Sequence, residues 1–248
     1  MQLINNTMLF YTTLLPLLLN LTSAMPSSSP QRRWDWGTTK RTARVTIKNN
    51  SPGDIKSVSL VHKYSDVYNN RAEWPVIKRF TSPDYHHHAI VDFNTGPLTT
   101  GRDWWLLSFY TDDMSTNYFT NPNNFRNVFD FLESVGPTVT ISIAGATAGI
   151  LGALAGPATS VIASTAAAAV AKATTDGLFN AESTVGFKQH ILRTEDADRI
   201  TTIVINRDYS VTFYSHSETP SYTVTSSRPA EIQVKDESGQ VVDESRKG

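Results

Sequence analysis

Three consecutive histidines, His86-His87-His88, and two consecutive aspartates, Asp112-Asp113, are the side chains whose types most readily suggest metal chemistry. Imidazole nitrogens suit zinc, copper or nickel, and carboxylate oxygens suit calcium or magnesium. The spacing argues against both sites. Neighbouring residues of an extended strand point to opposite faces, so three successive imidazoles do not converge on one ion there. The aspartates lack a loop of alternating acids and a glutamate at calcium-loop spacing, and read as the capped end of a strand. There is no cysteine, which excludes a thiol nucleophile, a Cys-ligated zinc, an iron–sulfur cluster and a disulfide scaffold.

Glu73, Asp92, Asp112, Asp113 and Glu133 could act as acids or bases, but nothing in their spacing pairs them. Gly-x-Ser-x-Gly and His-Glu-x-x-His patterns are absent. No glycine loop sits between a strand and a polar helix to cradle phosphate. The chain is therefore read as non-enzymatic, with no catalytic residue, metal or cofactor assigned. Trp104 and Trp105 read as core packing of a central strand, whereas Trp34 and Trp36, in a polar setting, read as surface contacts. Asn49 heads an Asn-Asn-Ser sequon followed directly by Pro52, a poor glycosylation context.

The most unusual chemical feature is an absence of charge. Between Glu133 and Lys172 there is no Asp, Glu, Lys, Arg or His. Pro137 and Pro157 divide this stretch into two arms. The first, from Thr138 to Gly156, approaches the roughly 20 residues a membrane span needs. It carries Ile141, Ile143, Gly145, Gly149, Ile150, Leu151, Gly152, Leu154 and Gly156, which are the candidates for membrane insertion. Its Gly-x-x-x-Gly spacings leave smooth faces for close backbone packing, in lipid or within a protein hairpin. The second arm, from Ala158 to about Asp176, is dominated by Ala, Ser, Thr and Val, and alanine is the strongest helix former. Two antiparallel helices turning at Gly156-Pro157 are expected, the first weakened by its β-branched Val139, Thr140 and Ile141.

Elements that position these features follow from periodicity. Alternation through Ala43, Val45 and Ile47, a turn cluster from Asn49 to Asp54, and alternation through Val58, Leu60, His62 and Tyr64 predict a β-hairpin. Trp74–Phe80 and Ala89–Phe93 read as further strands. Trp104–Tyr110 is apolar on both faces and reads as a strand covered on both sides. Asn117–Thr120 reads as a short edge. Phe125, Val128, Phe129, Leu132 and Val135 recur at helical spacing behind Asn121-Pro122, predicting an amphipathic helix. After Asn180 the two-residue period returns, with Val185, Phe187 and Ile191 on one face. Ile200–Ile205 and Val211–Ser215 flank a turn at Asn206–Tyr209 and predict a second hairpin, and Tyr222–Val224 adds a strand.

These elements predict an α+β fold: an antiparallel β-sandwich-like domain at 42–226, interrupted at 122–178 by the amphipathic helix and an Ala/Gly-rich helical hairpin. Residues 227–248 are polar and predict a disordered tail. Met8–Leu21 is an apolar run followed by Thr22-Ser23-Ala24, so 1–24 reads as an export signal and the protein as extracellular. Residues 25–41 read as a Ser/Pro-rich linker or pro-segment, in which Arg32-Arg33 is either a processing site or a pair of solvated arginines. The net charge of −1 over 248 residues gives no footprint for nucleic acid.

Several segments together resemble the domain family named for up-regulation in insulin-receptor mutant nematodes, which also occurs in fungi. They are Ala43–Asn50, Val61–Asp66, Asp103–Leu106, Pro122–Arg126, the Ala/Gly hairpin and Glu182–His190, so the resemblance covers roughly 42–215. It implies an order of strands, hairpin and strands, and supplies no catalytic residues. Three functions stay open on the sequence: membrane activity through the neutral hairpin, with a lipid bilayer as partner; binding of an extracellular glycan or protein, with the hairpin as a brace; and hydrolysis at an unrecognised site.

Overall fold

The computed structural model describes residues 37–65, 68–99, 101–121, 139–143, 146, 148–153, 161–181 and 184–245. In chain order its elements are β1 (Thr39–Asn49), β2 (Ile55–Tyr64), β3 (Tyr68–Ile77), β4 (Ala89–Thr95), β5 (Asp103–Thr111), β6 (Thr116–Asn121) and β7 (Val139–Ser142). There follow α1 (Ile150–Ala153), α2 (Val161–Phe179), β8 (Lys188–Gln189), β9 (Ile200–Ile205), β10 (Val211–Tyr214), β11 (Ser221–Pro229), β12 (Ile232–Lys235) and β13 (Val241–Glu244).

Strand accounts for 49% of the structure and helix for 15%, so the fold is mostly β, not α+β. The expected sandwich is replaced by one nearly closed, barrel-like sheet in the order β3-β2-β5-β6-β11-β10-β9-β1-β4, with β8 added beside β5. Its pairs are antiparallel except β1 with β9. Closure buries an interior lined by Val45, Ile47, Leu60, Phe93, Trp105, Leu107, Phe109, Ile203 and Phe213. At the seam, side chains replace backbone pairing. Asn70 Oδ1 on β3 accepts the Asp92 N–H of β4 at 2.9 Å, and Trp74 Nε1 donates to the His87 carbonyl at 2.8 Å. Pro75 is tolerated on β3 because that strand has a free edge.

The strand alternation of β1 and β2 is present, but the two do not form the expected hairpin. β1 pairs with β4 and β9, and β2 with β3 and β5. The cause lies at Asn49, which is fully buried and saturated. Its amide donates to the carbonyls of Gly53 and Ile77, each at 3.0 Å, and its oxygen accepts the Ser51 N–H and hydroxyl at 3.0 and 2.7 Å. These bonds fix a turn that sends the chain across the barrel end. They also leave no amide hydrogen for a glycan, so the sequon reads as a structural turn.

The expected helical hairpin is not formed. The first arm starts as strand β7, which pairs in parallel with β12, and among its described residues Ile150–Ala153 is helical. The β-branched run Val139-Thr140-Ile141 favours that pleated geometry. The expected disordered tail instead supplies β12 and β13, completing a three-stranded sheet with β7. Ile232 and Val234 alternate with polar neighbours and are buried against Met114, Ile150 and Val170. Asn117–Thr120, expected as an edge, is the inner strand β6 between β5 and β11. The predicted amphipathic helix, from Pro122 to Val135, lies outside the described residues.

The second arm does form a helix, α2, of 19 residues. Ala166, Ala167, Val170, Ala171 and Leu178 are buried, while Ser164 and Lys172 are exposed. Small residues on both surfaces let the helix lie close to β2. Two serine hydroxyls of β2 then reach its carbonyls: Ser57 donates to Ala167 O and Ser59 to Ala171 O, both at 2.8 Å. A bulge between Lys56 and Ser59, with Ser57 at φ 49°, aims the first of these hydroxyls outward. β2 is thereby buried on both faces, by the barrel interior and by α2. No described helix is long and apolar enough to cross a membrane.

Candidate functional site

Register brings distant parts of the sequence to one end of the barrel. Asp103, at the start of β5, lies opposite Tyr64 at the end of β2, and Thr95, at the end of β4, lies opposite Thr39. Between the connection 94–101 and the segment 191–195 is a cavity of about 440 Å³, lined among others by Asn94, Thr95, Thr99, Leu192, Arg193 and Glu195. Gly96 at its rim has φ 123° and lies so close to the Gly37 carbonyl that a Cβ would stand 2.7 Å from that oxygen. Only glycine fits there.

The segment 190–193 has one backbone partner, at His190, and carboxylates hold the next three N–H groups. The His190 N–H donates to the Asp103 carbonyl at 3.2 Å. The Ile191 N–H donates to Glu218 Oε2 at 3.1 Å, the Leu192 N–H to Asp103 Oδ2 at 2.8 Å, and the Arg193 N–H to Asp196 Oδ2 at 2.8 Å. Asp196 also accepts the His216 and Ser217 N–H groups at 2.7 and 3.0 Å, joining the β10–β11 connection to the same cluster. Charge-assisted bonds of this kind are about twice as strong as neutral ones, so the cavity wall is held in a fixed shape.

Beneath this wall lies a buried aromatic and polar layer. His62 Nε2 stands 3.0 Å from Asp103 Oδ1 and its Nδ1 3.3 Å from Asn70 Oδ1. The His62 ring packs on Trp105 with centroids 4.0 Å apart. Trp105 Nε1 donates to the His190 carbonyl at 2.8 Å. His190 Nδ1 lies 2.8 Å from Ser221 Oγ and 3.6 Å from Glu218 Oε2, while its Nε2 is buried without a hydrogen-bond partner. Burial lowers the His190 pKa, outweighing Glu218, Asp196 and Asp103, which raise it; Lys188 adds to the lowering. Serine, histidine and glutamate here do not form an acyl-transfer triad. Both partners lie on the same ring nitrogen, whereas a triad places nucleophile and acid on opposite ones.

The candidates chosen from sequence lie elsewhere. His86 and His87 belong to a 3₁₀ turn, Tyr85–His87, rather than a strand; His88 caps it. His87 Nδ1 lies 2.8 Å from Asp84 Oδ1, and that hydrogen bond above all holds the Asp84 carboxyl below its usual range. Among the described residues no group of three or more His, Asp or Glu could hold a metal. Asp112 pairs with Lys56 at 3.0 Å. Asp113 caps the strand end, accepting from the Thr111 hydroxyl and from the Ser115 N–H and hydroxyl. Burial raises the pKa of Asp113, but these hydrogen bonds together bring it below the ordinary value. Asp92 pairs with Lys40 at 3.0 Å, Glu73 lies on β3, and Glu133 is outside the described residues.

Of the membrane-insertion candidates, Ile141, Ile150 and Leu151 are buried, and Ile143 packs partly buried against the same cluster. Gly149 takes a turn at φ 84° and Gly152 is exposed. Gly145, Leu154 and Gly156 lie outside the described residues. Trp105 is in the barrel interior and Trp104 is half-buried on the outer side, packed against Val61, Leu106 and Phe187. Trp34 and Trp36 lie outside the described residues.

The cluster at the mouth escaped sequence reading because His62, Asp103, Asp196, His190 and Glu218 carry no motif. One signal was available: His62 is polar within an otherwise apolar inward-facing row of β2. Compared with known families, residues 39–225 match the family described as up-regulated in long-lived daf-2, whose function is uncharacterised. No curated protein matches the chain.

Proposed function

We propose, from the premise that the chain belongs to the family up-regulated in long-lived daf-2, that it is a secreted, non-enzymatic binding module that takes a glycan at the mouth of its barrel. The observation that carries this reading is the wall of the 440 Å³ cavity, in which the three consecutive N–H groups of Ile191, Leu192 and Arg193 are held by carboxylates. Such a wall is preorganised, so little ordering cost is left for binding. Barrel mouths are a preferred place for ligands, and cavities of about 300–1,000 Å³ suit small molecules. The lining offers amide, hydroxyl, guanidinium and carboxylate groups, which suit a hydroxyl-rich ligand. Arg193 and Glu195 are exposed and have no ion-pair partner among the described residues. A standard protein interface removes about 800 Å² per partner, more than so small a concavity offers, so a glycan end is the better occupant.

Export rests on the apolar run Met8–Leu21 and the small residues after it. Under this reading α2 is a brace on the barrel wall, not a membrane element. The test is a glycan array probed with the full chain, repeated with Arg193→Ala and Glu195→Gln. The expected result is binding to a defined glycan class that falls by about tenfold or more in each variant, the loss of one charged hydrogen bond. No bound glycan, or binding that both variants leave unchanged, contradicts the reading.

A further inference from the structure

His190 sits where the mouth wall meets the barrel interior. Its ring is fully buried between Ser221 of β11, Phe213 of β10 at 5.4 Å between centroids, and the Glu218 carboxylate. One ring nitrogen has partners and the other, Nε2, has none. A neutral imidazole can leave Nε2 as a bare acceptor. A protonated one puts an N–H on it with nothing to accept, inside a site closed to water. The next three residues, Ile191, Leu192 and Arg193, are those whose N–H groups define the cavity wall.

We propose that His190 is a pH-operated latch on the mouth: when its imidazole takes up a proton it leaves its seat, pulls residues 191–193 from their acidic partners, and opens the cavity. This rests on the binding reading for its purpose, but not for its physics. The charged groups facing His190 are Glu218 from the β10–β11 connection, Asp196 from the 3₁₀ turn, Asp103 from β5 and Lys188 from β8. Burial outweighs the three acids, so the seated ring binds its proton more weakly than a free histidine. The sign follows from linkage. The open loop takes up protons near the ordinary histidine value of about 6.5 and the closed loop only below it, so closure is complete above that pH and is lost as pH falls beneath it. Acidification would then release a ligand taken up at neutral pH.

The experiment is amide hydrogen exchange on the full chain without ligand from pH 8 to pH 4.5, corrected for intrinsic exchange, with the His190 ring followed by NMR. Opening at Ile191, Leu192 and Arg193 is expected to rise up to about tenfold per pH unit below the onset, while Ile203 and Phe213 stay protected. Glu218→Gln keeps an acceptor for Ile191 but removes a charge that favours the imidazolium in the closed site, so the rise in opening should begin at the same pH and continue to lower pH before it levels off. His190→Gln should abolish the pH dependence. Flat protection across the range, or a pH dependence that persists in His190→Gln, overturns the latch. Failure to find a glycan leaves this result untouched, so the two readings fail separately.

Discussion

Replacing Asp103 by alanine is expected to lower the stability of the fold by about 2–6 kcal/mol, because it leaves two buried polar groups without partners. Asp103 is 2% exposed, and its three acceptor contacts reach His62, Leu192 and His190. Only the contact to His190 uses the backbone and survives the change. Loss of the carboxylate leaves the His62 Nε2 and the Leu192 N–H buried without partners, and an unsatisfied buried group costs about 1–3 kcal/mol. Asp103→Asn keeps the volume and one acceptor, so its effect should be about half as large. Denaturant unfolding followed by tryptophan fluorescence measures both, and a shift under 1 kcal/mol for the alanine variant would contradict the role given to this residue. The same variant should free the cavity wall before global unfolding, since Leu192 loses its anchor.

The second large effect concerns the helix. Ala171 is fully buried against β2, and its carbonyl accepts both the Ser59 and the Thr175 hydroxyls at 2.8 Å. An aspartate there adds bulk where small residues set the approach, and buries a charge with no partner. Ala171→Asp is therefore expected to cost about 4–5 kcal/mol or more. Ser164→Asp, on the exposed side of the same helix, should stay within about 0.5 kcal/mol. Thermal unfolding of the two variants separates a brace from a loosely attached helix. Equal, small shifts would mean that α2 does not support the barrel.

Much of the local structure was legible. The two-faced apolarity of Trp104–Tyr110 announced a strand covered on both sides, and β5 is buried by the barrel interior on one side and by the outer clusters on the other. The turn at Asn206–Tyr209 marked the β9–β10 hairpin, and alanine content marked α2. Periodicity reports which face a strand buries, but not which strand lies beside it. That is why β1 and β2 were expected to pair although Asn49 turns the chain away, and why a sandwich was expected in place of a barrel. The arm at 138–156 was read as helix from its small and apolar content, yet the short-range preference of Val139-Thr140-Ile141 for strand prevailed once β12 offered an edge. Ile232 and Val234 were hidden in a polar tail because two apolar residues are too few to make a pattern. The mouth was the least legible part. Its residues acquire meaning only when register brings positions from 62 to 221 within hydrogen-bond reach.

If α2 is a fixed part of the barrel wall, the cysteine-free chain allows that to be measured directly. Single cysteines at Ala171 and Ser164 can be challenged with a maleimide, with and without anionic liposomes. The expected result is rapid labelling at position 164 and protection at position 171 in both conditions, with protection lost only on denaturation. Rapid labelling at 171 in buffer, or protection there that disappears when liposomes are added, would show that the helix leaves the barrel and is not a brace.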